Sequence, residues 1–245
     1  RRLGCRSCAA PRLLGTVTRT RMEISFASLS AKDRYKLLVG SVLPRPIALV
    51  STRGRDRRPN IAPFSFFNAI SDDPPAVAIG VNASANVFLK DTARNIRETG
   101  EFVVNLVNEQ LARRMNLCGA EIAPEFDEFA FAGLTEAASS QVSAPRVAES
   151  PISLECRRLC NVEIGLGRNV VIGEVVHMAI RDDLVDPERL YVDGARSGLI
   201  ARMHGLGWYT RTTDLIELPR VAPDEVERRL REVFGEDAAG KGEHK

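Results

Sequence analysis

Eight apolar segments follow one another along this chain, and Gly, Pro, Asn and Asp punctuate the gaps between them. They are PIALVST (46–52), NIAPFSFF (60–67), PAVAIGV (75–81), EFVVNLV (101–107), ISLECRRLCNVEIGL (152–166), NVVIGEVVHMAI (169–180), WYTRTT (208–213) and DLIEL (214–218). Enrichment in Val, Ile and Phe at these lengths predicts strands. Helical patterns are confined to SAKDRYKLL (30–38), with Ser30 as N-cap, and to 91–99, 109–119 and 222–234. Several strands succeed each other with no helix between them, which excludes a doubly wound parallel sheet. The pattern predicts a mainly β fold, an antiparallel, Greek-key-like barrel with a few peripheral helices.

Composition narrows the function classes. With 44% hydrophobic and 27% charged residues in 245, the chain can bury one sizeable core. Its +2 formal charge is misleading, because residues 1–21 hold six arginines and no acid; from Met22 onward 28 basic residues face 32 acidic ones. That sign argues against nucleic acid as a partner, which requires a dense basic patch. No apolar run approaches the length of a membrane span, so no membrane partner is expected. Residues 1–21 read as a disordered Arg-rich leader, similar in composition to a transit peptide, or as a non-native extension. The core domain is placed at 22–220 and a C-terminal helix with a disordered tail at 221–245. Five irregularly spaced cysteines point to free thiols in a reducing compartment, hence a cytoplasmic location. Cys156 and Cys160, four apart on one predicted strand, are expected to share a core-facing side. Three dispersed histidines predict no metal.

Region 44–95 carries the chemistry. Its strands offer extended backbone with Ser51, Thr52, Ser65 and Asn68, and Phe64, Phe66 and Phe67 offer flat apolar walls. The predicted helix opening at KDTARN (90–95) offers free N–H donors, a favourable dipole end, a lysine and a hydroxyl. A ligand with a flat, polar-edged ring and one terminal phosphate uses all three, and FMN is such a ligand. Each feature also has a plain structural role, as barrel core or helix cap. The turn RGRDRRP (53–59) reads as a solvated hairpin end that could also attract nicotinamide-nucleotide phosphates. Glu174 stands in an apolar row and calls for an edge, a subunit contact or an arginine, while His177 reads as a core or interface histidine.

The blocks RPIALVST, NIAPFSFFNAISDDPP, KDTARNI…GEFVVNLV, GEVVHMAI and ARMHGLGWYTRT occur in the order found in the flavin reductase-like, FMN-binding split-barrel family, which the chain resembles over residues 30–220. The resemblance implies a homodimer with one FMN per subunit near the dimer interface. It implies that the strand holding Arg45, Pro46, Val50, Ser51 and Thr52 runs beside the isoalloxazine, and that Ser65, Phe66, Phe67 and Asn68 frame the ring and ribityl chain. Lys90, Thr92 and Asn95 would hold the phosphate, Asp91 would cap the helix, and His204 and Tyr209 would close the pocket. It further implies NADH or NADPH as electron donor, hydride transfer to flavin N5, no side chain assigned as catalytic, and a possible monooxygenase partner. The alternative is an FMN-holding electron-transfer or flavin-binding protein without nicotinamide turnover.

Overall fold

A computed structural model describes residues 21–82, 91–120 and 127–234 of the chain. Helix α1 spans Ala31–Ser41, and the Ser30 hydroxyl accepts the Asp33 N–H at its entrance. A two-residue strand, β1 (Arg45–Pro46), leads into β2 (Ala48–Arg53), β3 (Pro59–Phe64), β4 (Phe67–Asp72) and β5 (Pro75–Asn82). Helix α2 (Asp91–Thr99) precedes β6 (Glu101–Leu106), and the short helices α3 (Ala112–Leu117) and α4 (Glu128–Phe131) follow. The small ladder of β7 (Glu136–Ala137) and β8 (Arg146–Val147) precedes two long strands, β9 (Ile152–Gly165) and β10 (Arg168–Ile180). A second small ladder pairs β11 (Val185–Asp186) with β12 (Tyr191–Val192), before β13 (Ile200–Arg202), β14 (Tyr209–Arg211) and helix α5 (Val226–Phe234).

The main sheet has seven strands in the order β3-β2-β6-β9-β10-β5-β4, every neighbour antiparallel. Its two edges, β3 and β4, are not hydrogen-bonded to each other, so no closed barrel forms among the described residues. Yet those edges are consecutive in the chain and joined only by Ser65–Phe66. Three peptide steps reach at most about 11 Å, so the sheet must curl until its first and last strands meet. The curl encloses one apolar cluster, with Phe64, Val50, Val104, Leu154, Val171 and Ile79 drawn from six strands and Phe67 of the seventh packed against it. Ala93 and Ile96 bring α2 into the same cluster.

The outer side of β2 and β3 is also covered. Leu49 and Ile61 point away from the enclosed core into a second cluster with Met115 of α3 and Phe129 of α4. Both faces of β2 are therefore apolar, which explains the unbroken run in its sequence.

Several expectations are corrected. DLIEL (214–218) forms no strand, and Leu215, Ile216 and Leu218 are exposed. NIAPFSFF is not one strand but breaks at Ser65 between β3 and β4. Cys160 is exposed while Cys156 is fully buried. A β-bulge between the Arg158 and Cys160 pairings inserts one extra residue, Leu159, and flips the alternation. A second bulge, between Val175 and His177, turns His177 out of the core, so only the core half of its reading is corrected. Glu174 stands opposite Arg157 in the register of the β9–β10 ladder.

Candidate functional site

One end of the β2–β3 hairpin holds a buried polar network. Thr52 and Asn60 are cross-strand partners, and the first turn of α2 lies against them. The Thr92 hydroxyl donates to Asn60 Oδ1 at 2.9 Å, the Thr52 hydroxyl donates to the same oxygen at 3.2 Å, and Asn95 Nδ2 donates to Thr52 Oγ1 at 3.0 Å. Asn60 Nδ2 and the Ile61 N–H both donate to Glu128 Oε2 at 2.6 Å. The ionised carboxylate can only accept, which fixes which end of the Asn60 amide faces the threonines. Burial raises the Glu128 carboxyl above its ordinary range, against the pull of these hydrogen bonds.

The other end of the same strands opens into a cleft of about 360 Å³. Ala48 and Phe64 pair there, four residues or about 13 Å from Thr52 along β2. Tyr35 of α1, Ile47, Ser65, Arg202, Leu206 and Tyr209 line it. Ser65 and Phe66 step between two ladders, so the Ser65 peptide lies outside both; the Phe66 carbonyl accepts the Gly80 N–H at 2.7 Å. A side chain at Gly80 would place its Cβ 2.9 Å from that of Phe66, so glycine permits this approach. Phe66 in turn meets Tyr35 edge-on, with ring centroids 6.5 Å apart. Arg202 lies 4.7 Å over the Tyr209 ring, donates to the Tyr209 hydroxyl, and holds the Leu206 carbonyl at 2.8 Å.

A profile of the family described as "Flavin reductase like domain" matches residues 39–199, a span that includes the hairpin network and most of the cleft. The chain belongs to this flavin reductase-like family. It is 41% identical over 204 residues to an uncharacterized protein of Deinococcus radiodurans, covering 81% of this chain and 89% of that one. Among solved structures it is similar to the 2-nitrobenzoate 2-nitroreductase NbaA of Pseudomonas fluorescens, with a TM-score of 0.75, 36% identity, and coverage of 81% of this chain and 96% of that one. It is also similar to nitrilotriacetate monooxygenase component B of Bacillus cereus, with a TM-score of 0.77, 30% identity, and coverage of 82% and 100%.

The family assigns this chain to flavin-related oxidoreductases. In this flavin reductase-like fold the residues singled out from sequence separate into two groups. Thr52, Asp91, Thr92 and Asn95 gather at the hairpin end, where Asp91 opens α2 and pairs with Arg94. Ser65, Phe66 and Tyr209 gather at the cleft, Phe67 and Asn68 continue into β4, and His204 lies exposed on the turn before Tyr209. Lys90 lies outside the described residues. Val50 is buried in the enclosed core, and Ser51 points to the opposite face, where it donates to the Pro145 carbonyl and accepts from Asn105. Arg45 is buried against α1, whose Val39 carbonyl accepts from it at 2.6 Å; Pro46 beside it is exposed. Sequence reasoning did not single out Asn60, Glu128, Tyr35 or Arg202. Asn60 carried a legible signal, an amide at the entrance of an apolar strand, whereas Glu128 reaches it from 68 residues away.

Proposed function

We propose that the chain is an FMN-binding oxidoreductase of split-barrel architecture that takes hydride from NADH or NADPH. It acts as a cytoplasmic homodimer whose functional unit is residues 22–220, and it can supply a partner monooxygenase. The observation that carries this reading is the flavin reductase-like match over 39–199, which encloses the RPIALVST, NIAPFSFFN and KDTARNI blocks. That one similar protein is a monooxygenase component and another a nitroreductase agrees with a flavin redox role.

The residues present suit the cofactor in two ways. The Ser65 peptide, unused by either ladder, offers backbone groups to the edge of a polar ring. The nine-residue α2 offers an anion the N–H groups of its first turn and a positive dipole end. Because the Thr92 hydroxyl is given to Asn60, its part is to fix the first turn of α2 to the hairpin, and the backbone N–H groups together with Lys90 hold the phosphate. Flavin supplies two-electron transfer from a nicotinamide when bound, and the protein's task is to bind, orient and exclude water.

Two measurements test this. The purified protein shows a flavin spectrum, and anaerobic mixing with NADH or NADPH bleaches it; bleaching by neither would sink the proposal. A protein that retains flavin but ignores both nicotinamides is the electron carrier instead. Lys90→Ala weakens FMN binding by about 1–3 kcal/mol, the scale of a charge-assisted hydrogen bond. Unchanged affinity places the phosphate elsewhere.

A further inference from the structure

Both N–H groups that Glu128 receives, from Asn60 and from Ile61, end on a single oxygen, Oε2, at 2.6 Å. A glutamine in its place presents one amide oxygen to the same two donors, so the network itself has no need of the charge. The surroundings do not neutralise it either. The titratable groups facing Glu128 are Asp91 at the start of α2, its neighbour Asp127 and the Cys118 thiol beyond α3, all of them acids. Among the described residues no cation lies within ion-pair distance of its carboxylate, although fourteen ion pairs form elsewhere. Burial first, then Asp91 and Asp127, raise its pKa against the pull of the two donors. A half-buried charge that no hydrogen bond requires and no cation balances is unfavourable in the isolated fold.

The position of that charge is fixed by its own helix. Asp127 caps α4 by accepting the Phe129 and Ala130 N–H groups, and Phe129 is buried in the same core cluster as Ile61. From Glu128 a chain of hydrogen bonds leads to Asn60, from Asn60 Oδ1 to the Thr92 hydroxyl, and so into the first turn of α2. Thr92 is only 1% exposed, so the turn that carries it is held where Asn60 stands. That turn is the position proposed for the flavin phosphate.

We propose that Glu128 is a positioning residue for the flavin phosphate: through Asn60 it fixes the first turn of α2, and its charge sets how tightly the phosphate is held there. The inference rests on the flavin reading and deepens it. A phosphate joining Asp91 and Glu128 adds like charge to one place, so its binding favours the protonated carboxyl. The protonated form keeps both hydrogen bonds, since its carbonyl oxygen still accepts. Flavin binding therefore takes up a proton at Glu128, and by linkage the affinity falls as pH rises through the titration of this group.

The test measures FMN and riboflavin binding to the full chain, stripped of cofactor, by quenching of flavin fluorescence across the pH range in which the chain stays folded. Riboflavin is the same ring and ribityl chain without the phosphate. The phosphate of FMN titrates as well, so variants are compared with the unmodified chain at each pH. Glu128→Ala leaves the Asn60 and Ile61 donors without their acceptor and weakens FMN binding about tenfold, with riboflavin affinity unchanged. Glu128→Gln restores FMN binding, matching the unmodified chain at low pH and exceeding it at high pH. Equal loss of FMN and riboflavin affinity, or loss of neither, overturns the positioning role. A glutamine variant with the pH profile of the unmodified chain overturns the role of the charge. If the alanine variant does not fold, Thr92→Val cuts the same chain of bonds at its far end, and the same loss confined to FMN is required of it. An unmodified chain that binds neither flavin overturns the flavin reading and this inference with it, an outcome distinct from each of the others.

Discussion

Glu128 shows how a single side chain links the enclosed network to pH. Its carboxyl is raised because burial penalises the charged form more than the Ile61 and Asn60 donors favour it. The folded state therefore binds this proton more tightly than the unfolded chain, and stability falls as pH rises from the ordinary carboxylate range through the raised value. Glu128→Gln removes that component of the slope, which urea midpoints measured at closely spaced pH values reveal. Thr52→Val tests the same network without titration. It leaves Asn95 and Asn60 each short of a buried partner and lowers stability by about 1–3 kcal/mol in urea unfolding. The thiols divide in a way the sequence does not show. Burial pushes Cys118 up to about 12, with Glu128 adding to the effect, and burial likewise pushes Cys156 up. Cys160 faces solvent. With Cys5 and Cys8 replaced by Ser, a thiol reagent modifies Cys160 in the folded protein and reaches the other two only on unfolding.

At the level of elements, strand positions were legible because residue type and length fix them locally. The six segments from 46 to 180 all contain strands, and the helix at 91–99 lies where its pattern indicates. Bulges were not legible. They depend on how β9 and β10 register against each other, and a slip of one residue is invisible in either strand alone. That is why Cys160 emerges on the unexpected side and His177 lies outside the core. The site was half legible for a similar reason. Thr52, Thr92 and Asn95 stood out as polar residues near a helix entrance, but Asn60, which binds two of them, comes from a different strand. Gly173 marks the closest fit between elements, since a Cβ there would sit 2.4 Å from Phe102 Cζ. Gly173→Ala forces Phe102 aside and costs about 1–3 kcal/mol, measurable as a shift in urea midpoint.

For the molecule as a whole, the curled sheet and its covering helices account for the core, while the C-terminal segment stands apart. Val226, Leu230 and Val233 of helix α5 are exposed, and none of its residues from Val226 to Val233 is buried. Deleting residues 221–245 therefore leaves the unfolding midpoint of the remaining chain unchanged. If the same deletion weakens the proposed homodimer in sedimentation, the segment belongs to assembly rather than to folding. The joint at Ser65–Phe66 has a different consequence. A seam held by hydrogen bonds can unzip one bond at a time, but here the two lips of the sheet are tied by covalent chain. Thermal opening cannot carry them further apart than two residues allow, so each lip meets the other at high effective concentration. Circular permutation that moves the termini to this point removes the tie, and the permutant presents two bare strand edges, prone to pair with neighbouring molecules.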